Sequence, residues 1–352
     1  AGCAASGGGD YGGGTGGGYS AADPEPAADI PAKRVAKTSA APDDKVPRTL
    51  AAEQTGGEAY WVLPGPRELS PQVFGTPDRP KRLVEPYIQQ AKEKVDAGEM
   101  PPSVPDLLDP KGPKHGLPLL VGLPMQGGWG RSMVDGVWTL KHGSPFGDRM
   151  KPLKGNDHAL TARFNDRQLS DDDGRPFLNT KDSAKVKADF KDPQGNTYSV
   201  KIAKTFKPPI PGWQTEGGVL MNSEIGGDTG IFIPLLPRAY SHATVWGIGK
   251  IKVNDADPVT RVVVLFLTEA IRNDRGELAL DEAMPLDGDA VQAHLLVPPI
   301  KPVPGMGPTK QPVPTAFKLP PKAPHEHQPF ICVYYPEIRI TKGAQFVRPF
   351  EN

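Results

Sequence analysis

Residues 184–206, AKVKADFKDPQGNTYSVKIAKTF, hold two alternating runs on either side of DPQGN. In the first run Val186, Ala188 and Phe190 share one face and the lysines the other, the period-two pattern of a strand with one solvated side. Asp192, Pro193 and Gly195 supply turn geometry between the runs, so the stretch is expected to be a β-hairpin.

Outward from this hairpin the same signal recurs. Extended runs are expected at LPLLVGL (117–123), GVWTLKH (136–142), HALTARF (158–164), GIFIPLL (230–236) and ATVWGIGKIKV (243–253). Further runs are RVVVLFLTEAI (261–271), VQAHLLV (291–297), FICVYY (330–335) and IRIT (338–341). ATVWGIGKIKV and RVVVLFLTEAI are expected to pair through NDADPVT. Val262 to Leu267 is apolar on successive residues, which predicts a strand buried on both faces. One amphipathic helix is expected at Leu83 to Ala97, where Val84, Ile88, Ala91 and Val95 recur at helical spacing and Gly98 ends the segment.

Many strands, one helix and frequent Gly or Pro turns give an all-β class. The expected form is a β-sandwich with long irregular insertions, one satellite helix and extended N- and C-terminal arms; a barrel is the alternative closure. Residues 1–58 read as a Gly/Ala/Pro-rich tether with too little apolar surface to offset the entropy of ordering. Residues 59–116 read as an extended linker carrying the helix, with Ala59 to Leu63 as a short strand or docking arm. The main β domain is expected at 117–297 and a Pro-rich arm, with eleven prolines, at 298–329. Residues 330–352 should return as strands to the main domain.

The chain has 352 residues, with Lys plus Arg equal to Asp plus Glu at 41 each, and no local run is basic enough to follow a phosphate backbone. Nucleic acid is therefore not an expected partner. No stretch approaches eighteen consecutive apolar residues, the length a membrane-spanning helix needs.

The first twenty residues hold ten glycines and open Ala1-Gly2-Cys3. This resembles the site in bacterial lipoproteins where a small-residue pair precedes the acylated cysteine, which makes Cys3 the expected lipid attachment site. The resemblance implies an extracytoplasmic location, in the periplasm or at the cell surface, with outer-membrane association. The other cysteine, Cys332, lies within FICVYY and reads as a buried free thiol.

Several side-chain sets carry the residue types of chemistry. His142, His158 and His242, with Asp148 and Asp157, match the ligand types of zinc, iron or copper but show no compact spacing. His325 and His327 could share a strand face, though after KLPPKAP a polar bend is the simpler reading. Asp171, Asp172 and Asp173 lack the glutamate of a calcium loop. Ser241 beside His242 would point to the opposite face of a strand, which argues against a nucleophile and base pair. Arg238, Tyr240, His242 and Trp246 gather donors and an aromatic at a strand entrance, as a ligand pocket or a packing cluster.

Together these features point to a non-catalytic accessory or scaffold subunit of a cell-envelope complex, partnered by other envelope proteins and by the membrane, with no cofactor. The first alternative is a secreted or periplasmic metal-dependent hydrolase using His142, His158 and His242. The second is a carbohydrate-binding protein stacking sugars on Trp129, Trp138, Trp213 or Trp246.

Overall fold

A computed structural model describes residues 48–68, 96–98, 131–134, 137–144, 146–167, 181–205, 218–226, 236–272, 275–278, 290–303, 307–323 and 325–343. Every element named among them is a strand. In chain order the first nine are β1 (Arg48–Gln54), β2 (Tyr60–Val62), β3 (Gly65–Glu68), β4 (Arg131–Val134), β5 (Val137–Ser144), β6 (Met150–Pro152), β7 (Ala159–Asp166), β8 (Ser183–Lys191) and β9 (Thr197–Thr205). The remainder are β10 (Val219–Ile225), β11 (Ala239–Val253), β12 (Val259–Glu269), β13 (Val291–Val297), β14 (Ile300–Val303), β15 (Gly307–Lys310), β16 (Ile331–Tyr335) and β17 (Arg339–Lys342).

The principal sheet is antiparallel and runs β17-β1-β7-β8-β9-β11-β12-β13-β16-β2-β6, with β10 beside β11. Strands β3, β5 and β4 form a small separate sheet, and β14 and β15 a hairpin. The all-β expectation holds, and the sheet is a curled, open half-barrel.

The curl follows from one contact. On β2, the Trp61 ring lies 5.3 Å from Tyr198 of β9 and 6.2 Å from Phe190 of β8. On a flat sheet β9 would be five strand positions away, about 24 Å at ~4.8 Å per strand. The sheet therefore bends until its halves share one core, in which Leu50, Leu160, Val186, Val200, Val263 and Leu295 meet Val333 and Tyr335. Among the described residues its two ends, β17 and β6, do not pair with each other.

The hairpin expected at 184–206 is β8–β9, and its turn is built around Asp192. The Asp192 carboxylate accepts hydrogen bonds from the backbone N of Gln194 (2.8 Å) and Asn196 (3.1 Å), and from the Tyr198 hydroxyl (2.9 Å). Gly195 provides the left-handed residue, at φ 91°. Strands β11 and β12 pair as expected, and β12 is buried on both faces from Arg261 to Thr268.

Three expectations change. Arg48–Gln54 falls in the stretch read as tether but is a full strand, with Leu50 and Ala52 buried against β7. Its sequence carries only two buried apolar side chains and takes its strand character from its neighbours, so the sheet spans 48–342 and is wider than the expected 117–297. The Pro-rich arm is partly a hairpin, β14–β15, and its next residues enter the core through Val313 and Phe317. Gln328 locks that strap in place: it accepts from the Trp61 indole (3.0 Å) and donates to the Val62 carbonyl (3.1 Å). The runs at 117–123 and 230–236 and nearly all of the expected helix lie outside the described residues.

Strand β11 is long because it serves two neighbours in turn along one edge. Its first half pairs with β10 and its second half with β9. At the handover a side chain on Gly247 would strike Ile202. A Cβ on Gly249 would sit 2.5 Å from Val263 Cγ2 and 2.7 Å from the Lys201 carbonyl oxygen. Gly249→Ala is therefore expected to lower stability by about 1–3 kcal/mol, read as a lower urea midpoint at unchanged m value.

Candidate functional site

The inner faces of β11, β12, β13 and β16 supply the core, but the opposite faces of the first half of β11 and of β12, β13 and β16 are buried too. Strand alternation places two cross-strand rows on that second face. One runs Ser241, Thr268, Gln292; the other runs Thr244, Phe266, His294, Tyr334. The result is a band of polar groups held away from water.

At its centre His294 lies between Phe266, stacked on it 5.0 Å away at 11°, and Tyr334, tilted against it 4.8 Å away at 32°. Arg272, just past the end of β12, donates from Nε to His294 Nε2 at 3.0 Å. An arginine has no lone pair to offer, so Nε2 is the acceptor and the ring proton sits on Nδ1. Nδ1 is buried and has no hydrogen-bond partner. Burial first, and the Arg272 charge second, hold the His294 pKa well below the usual imidazole range.

Arg272 is itself buried, and burial works against its charge. Its Nη1 donates to the carbonyls of Gly147 (3.1 Å) and Gly276 (2.6 Å), and its guanidinium carbon lies 5.5 Å from the Tyr334 ring centre. Cys332, Asp148 and Tyr334 act in the opposite direction and favour the cation. The side-chain oxygen of Gln292 caps the turn into this arginine by accepting from the Ile271 backbone at 3.0 Å. Cys332 sits on the same face, where burial pushes its thiol up to about 12 against an opposing pull from Arg272. It is a buried free thiol, as expected, and is not poised for reaction.

The cluster expected at Arg238, Tyr240, His242 and Trp246 is brought together in part. Arg238 pairs with Glu224 of β10 at 2.6 Å, and the Tyr240 backbone donates to Glu269 at 3.0 Å. The Tyr240 and His242 rings meet edge-on at 5.6 Å. His242 stands at a bulge between Ser241 and Ala243, opposite Asn222, whose φ of 53° is left-handed. Both His242 ring nitrogens are buried without hydrogen-bond partners, and burial lowers its pKa to about 4. Ser241 bonds to Thr244 (2.8 Å) and the Leu267 carbonyl (3.3 Å), not to His242, so no nucleophile and base pair forms. Trp246 is only 3 % exposed and presents no ring for a sugar.

The remaining candidates scatter. His158 is buried and donates from Nε2 to the Gly57 carbonyl at 2.5 Å. Asp157 pairs with Lys191, while Asp148 accepts from the Leu278 backbone. His327 faces Lys318 in an isolated bridge and Glu326 accepts from Leu319, which makes 325–327 the polar bend. Among the described residues no three His, Cys, Asp or Glu side chains are grouped to hold a metal ion. Cys3, Trp129, Asp171, Asp172, Asp173 and Trp213 lie outside the described residues, as do the side chains of Trp138 and His142.

Sequence reasoning missed Arg272, Gln292, His294 and Tyr334. A histidine inside VQAHLLV and an arginine directly after the apolar run of β12 were the available signals, but their meeting depends on the β12–β13 register.

On the surface, an open cleft of about 470 Å³ lies between Glu53 to Gly56, Ala290 and Val291, and Pro336 to Arg339. It adjoins β17, whose Arg339 is bonded to Glu53 of β1. Compared with known proteins, the chain matches no family model, no curated protein and no solved structure.

His242 has a folded pKa of about 4 against an ordinary 6.5, so the unfolded chain binds its proton first as pH falls. Its stabilising contribution is thus full above about 6.5 and is lost on descending toward 4. His242→Phe is expected to remove up to about 1.4 kcal/mol per pH unit of slope in that window, measured as urea unfolding free energy against pH. An unchanged slope would show that the imidazole is not buried in its neutral form.

Proposed function

We propose that this protein is a non-catalytic accessory or scaffold subunit of a cell-envelope complex, tethered by a lipid on Cys3, that acts by holding other proteins along the open edge of its sheet. The observation that carries the proposal is β17. It is a four-residue strand, largely exposed, paired on one side by β1 and unpaired on the other among the described residues, with the polar cleft beside it. Unpaired strand N–H and C=O groups are a template for an added strand from a partner, and a neighbouring cleft can take that partner's side chains.

Other features support the same reading. The half-barrel is sandwich-like, with two halves of one sheet meeting across a shared core, and so offers a rigid support for its edge. Its extended arms include the strap at 311–317, which shows how irregular chain can be held by this core. The histidines best suited to catalysis, His158 and His242, are buried in packing rather than set at the mouth of a cleft. Ala1-Gly2-Cys3 and the glycine-rich residues after it supply the anchor and its reach.

Two measurements test the proposal together. Mass spectrometry of natively extracted protein should find Cys3 acylated and the intact chain in a complex of fixed stoichiometry. A photo-crosslinking residue at Thr341, on the exposed edge strand, should trap one discrete partner, whereas the same residue at Lys154 should not. An unmodified monomer carrying a stoichiometric metal would refute the proposal.

A further inference from the structure

The lysines that made the first hairpin legible gather with others only once the strands pair. On the solvent face of β7, β8, β9 and β11, Lys187 is directly opposite Lys201, and Lys201 is directly opposite Lys250. Arg163 faces Lys185 in the neighbouring row, and Lys252 lies two residues beyond Lys250 on the same face. All six of these cations are exposed. The carboxylate among them is Asp189, bound to Lys187 at 2.6 Å, and Asp255 and Asp257 bound the patch at the β11–β12 turn. Burial works against the Asp189 charge, but hydrogen bonds from Lys187 and Ser199 and the charges of Lys187 and Lys201 outweigh it and keep its pKa below the ordinary value.

A chain with no net charge has thus concentrated cations on one sheet face. Like charges directly opposite across strands weaken a sheet, so this arrangement costs stability that a partner would return. The spacing is about 5 Å between strands and about 7 Å along them, a two-dimensional array rather than a line or a pocket. No aromatic ring faces outward within it; Thr161, Ser199 and Ala203 lie between the cations, and one half-buried aliphatic, Ile248, lies at its margin. Protein interfaces centre on apolar and aromatic anchors and are depleted in lysine, and single-stranded nucleic acid is held by stacking rings. A plane of anionic headgroups requires only point charges.

We propose that the exposed face of β7, β8, β9 and β11 docks on an anionic lipid surface through Arg163, Lys185, Lys187, Lys201, Lys250 and Lys252. This rests on the reading of a membrane-tethered subunit and adds to it the face turned toward the membrane. Binding is electrostatic and reversible, with no inserted side chain, and each lysine contributes about fivefold in affinity.

The test uses the full chain carrying Cys3→Ser, so that no acyl group contributes, with vesicles of phosphatidylcholine alone or containing about one-third phosphatidylglycerol. Co-sedimentation with the anionic vesicles only, lost as salt rises from ~0.1 M to ~1 M, is the expected result. The triple variant Lys187→Gln, Lys201→Gln, Lys250→Gln should bind about 100-fold more weakly while melting no lower, since it relieves repulsion. The Lys→Arg triple at the same positions should bind as the parent does. Equal binding to both vesicles, undiminished binding by the glutamine triple, or tighter binding to dissolved polyglutamate or duplex DNA than to vesicles would overturn the proposal. Acylation of Cys3 is read separately by mass, so failure of docking and failure of the anchor are distinguishable.

Discussion

The contact of Trp61 with Phe190, Tyr198 and Phe317 gives an eleven-strand strip an interior. Without it the strip would expose a broad apolar face, and the strap from Val313 to Phe317 would have nothing to fill. The indole N–H is satisfied by Gln328, and Gln328 in turn holds the Val62 and Phe330 carbonyls, so the aromatic packing and the polar locking occur at the same point. The Tyr198 hydroxyl extends the link to the β8–β9 turn through Asp192 and to the strap through Ala316. The fold depends on this cluster because it joins parts of the sheet that pair with different neighbours.

The sheet's outer surface divides into two regimes. Over the first half of β11 and over β12, β13 and β16 it is buried and carries Arg272, His294 and His242, where burial works against the charged form of each. Over β7, β8, β9 and the far half of β11 it is solvated and cationic. The glycines at 247 and 249 lie where β11 passes from one regime to the other, and their lack of side chains lets the backbones of β9 and β12 close around that bend. A single strand thereby serves both a core-like surface and a docking-like one.

Much of this was legible in the chain. Period-two alternation revealed β7, β8 and β9, continuous apolarity revealed the double burial of β12, and DPQGN revealed its turn. β1 and β10 were not legible, because RTLAAEQ and VLMNSEI lack a clear period-two alternation and acquire strand character from β7 and β11. The prolines of β14 and β15 concealed a hairpin for a related reason, since its pairing is supplied by geometry and not by propensity. Within the site, Tyr240 and His242 were readable as neighbours two apart on one strand, whereas the contributions of Glu224 and Glu269 come from adjoining strands. The Arg272–His294 pair and the Lys187–Lys201–Lys250 row needed a register that local sequence does not specify.

The order of strands also sets an order of events. β1 and β2 are the first described strands in the chain, yet the strands that flank them, β17 beside β1 and β16 beside β2, are the last two. Trp61 and Gln328, which meet at the core, are separated by 267 residues. As the chain is made from its N-terminus, β1, β2 and β13 each wait with one edge bare until 331–342 emerge, and only then can the curl close over the strap. Completion is therefore a late, non-local step, and a truncation that removes little more than the last two strands leaves three sticky edges in place of a half-barrel.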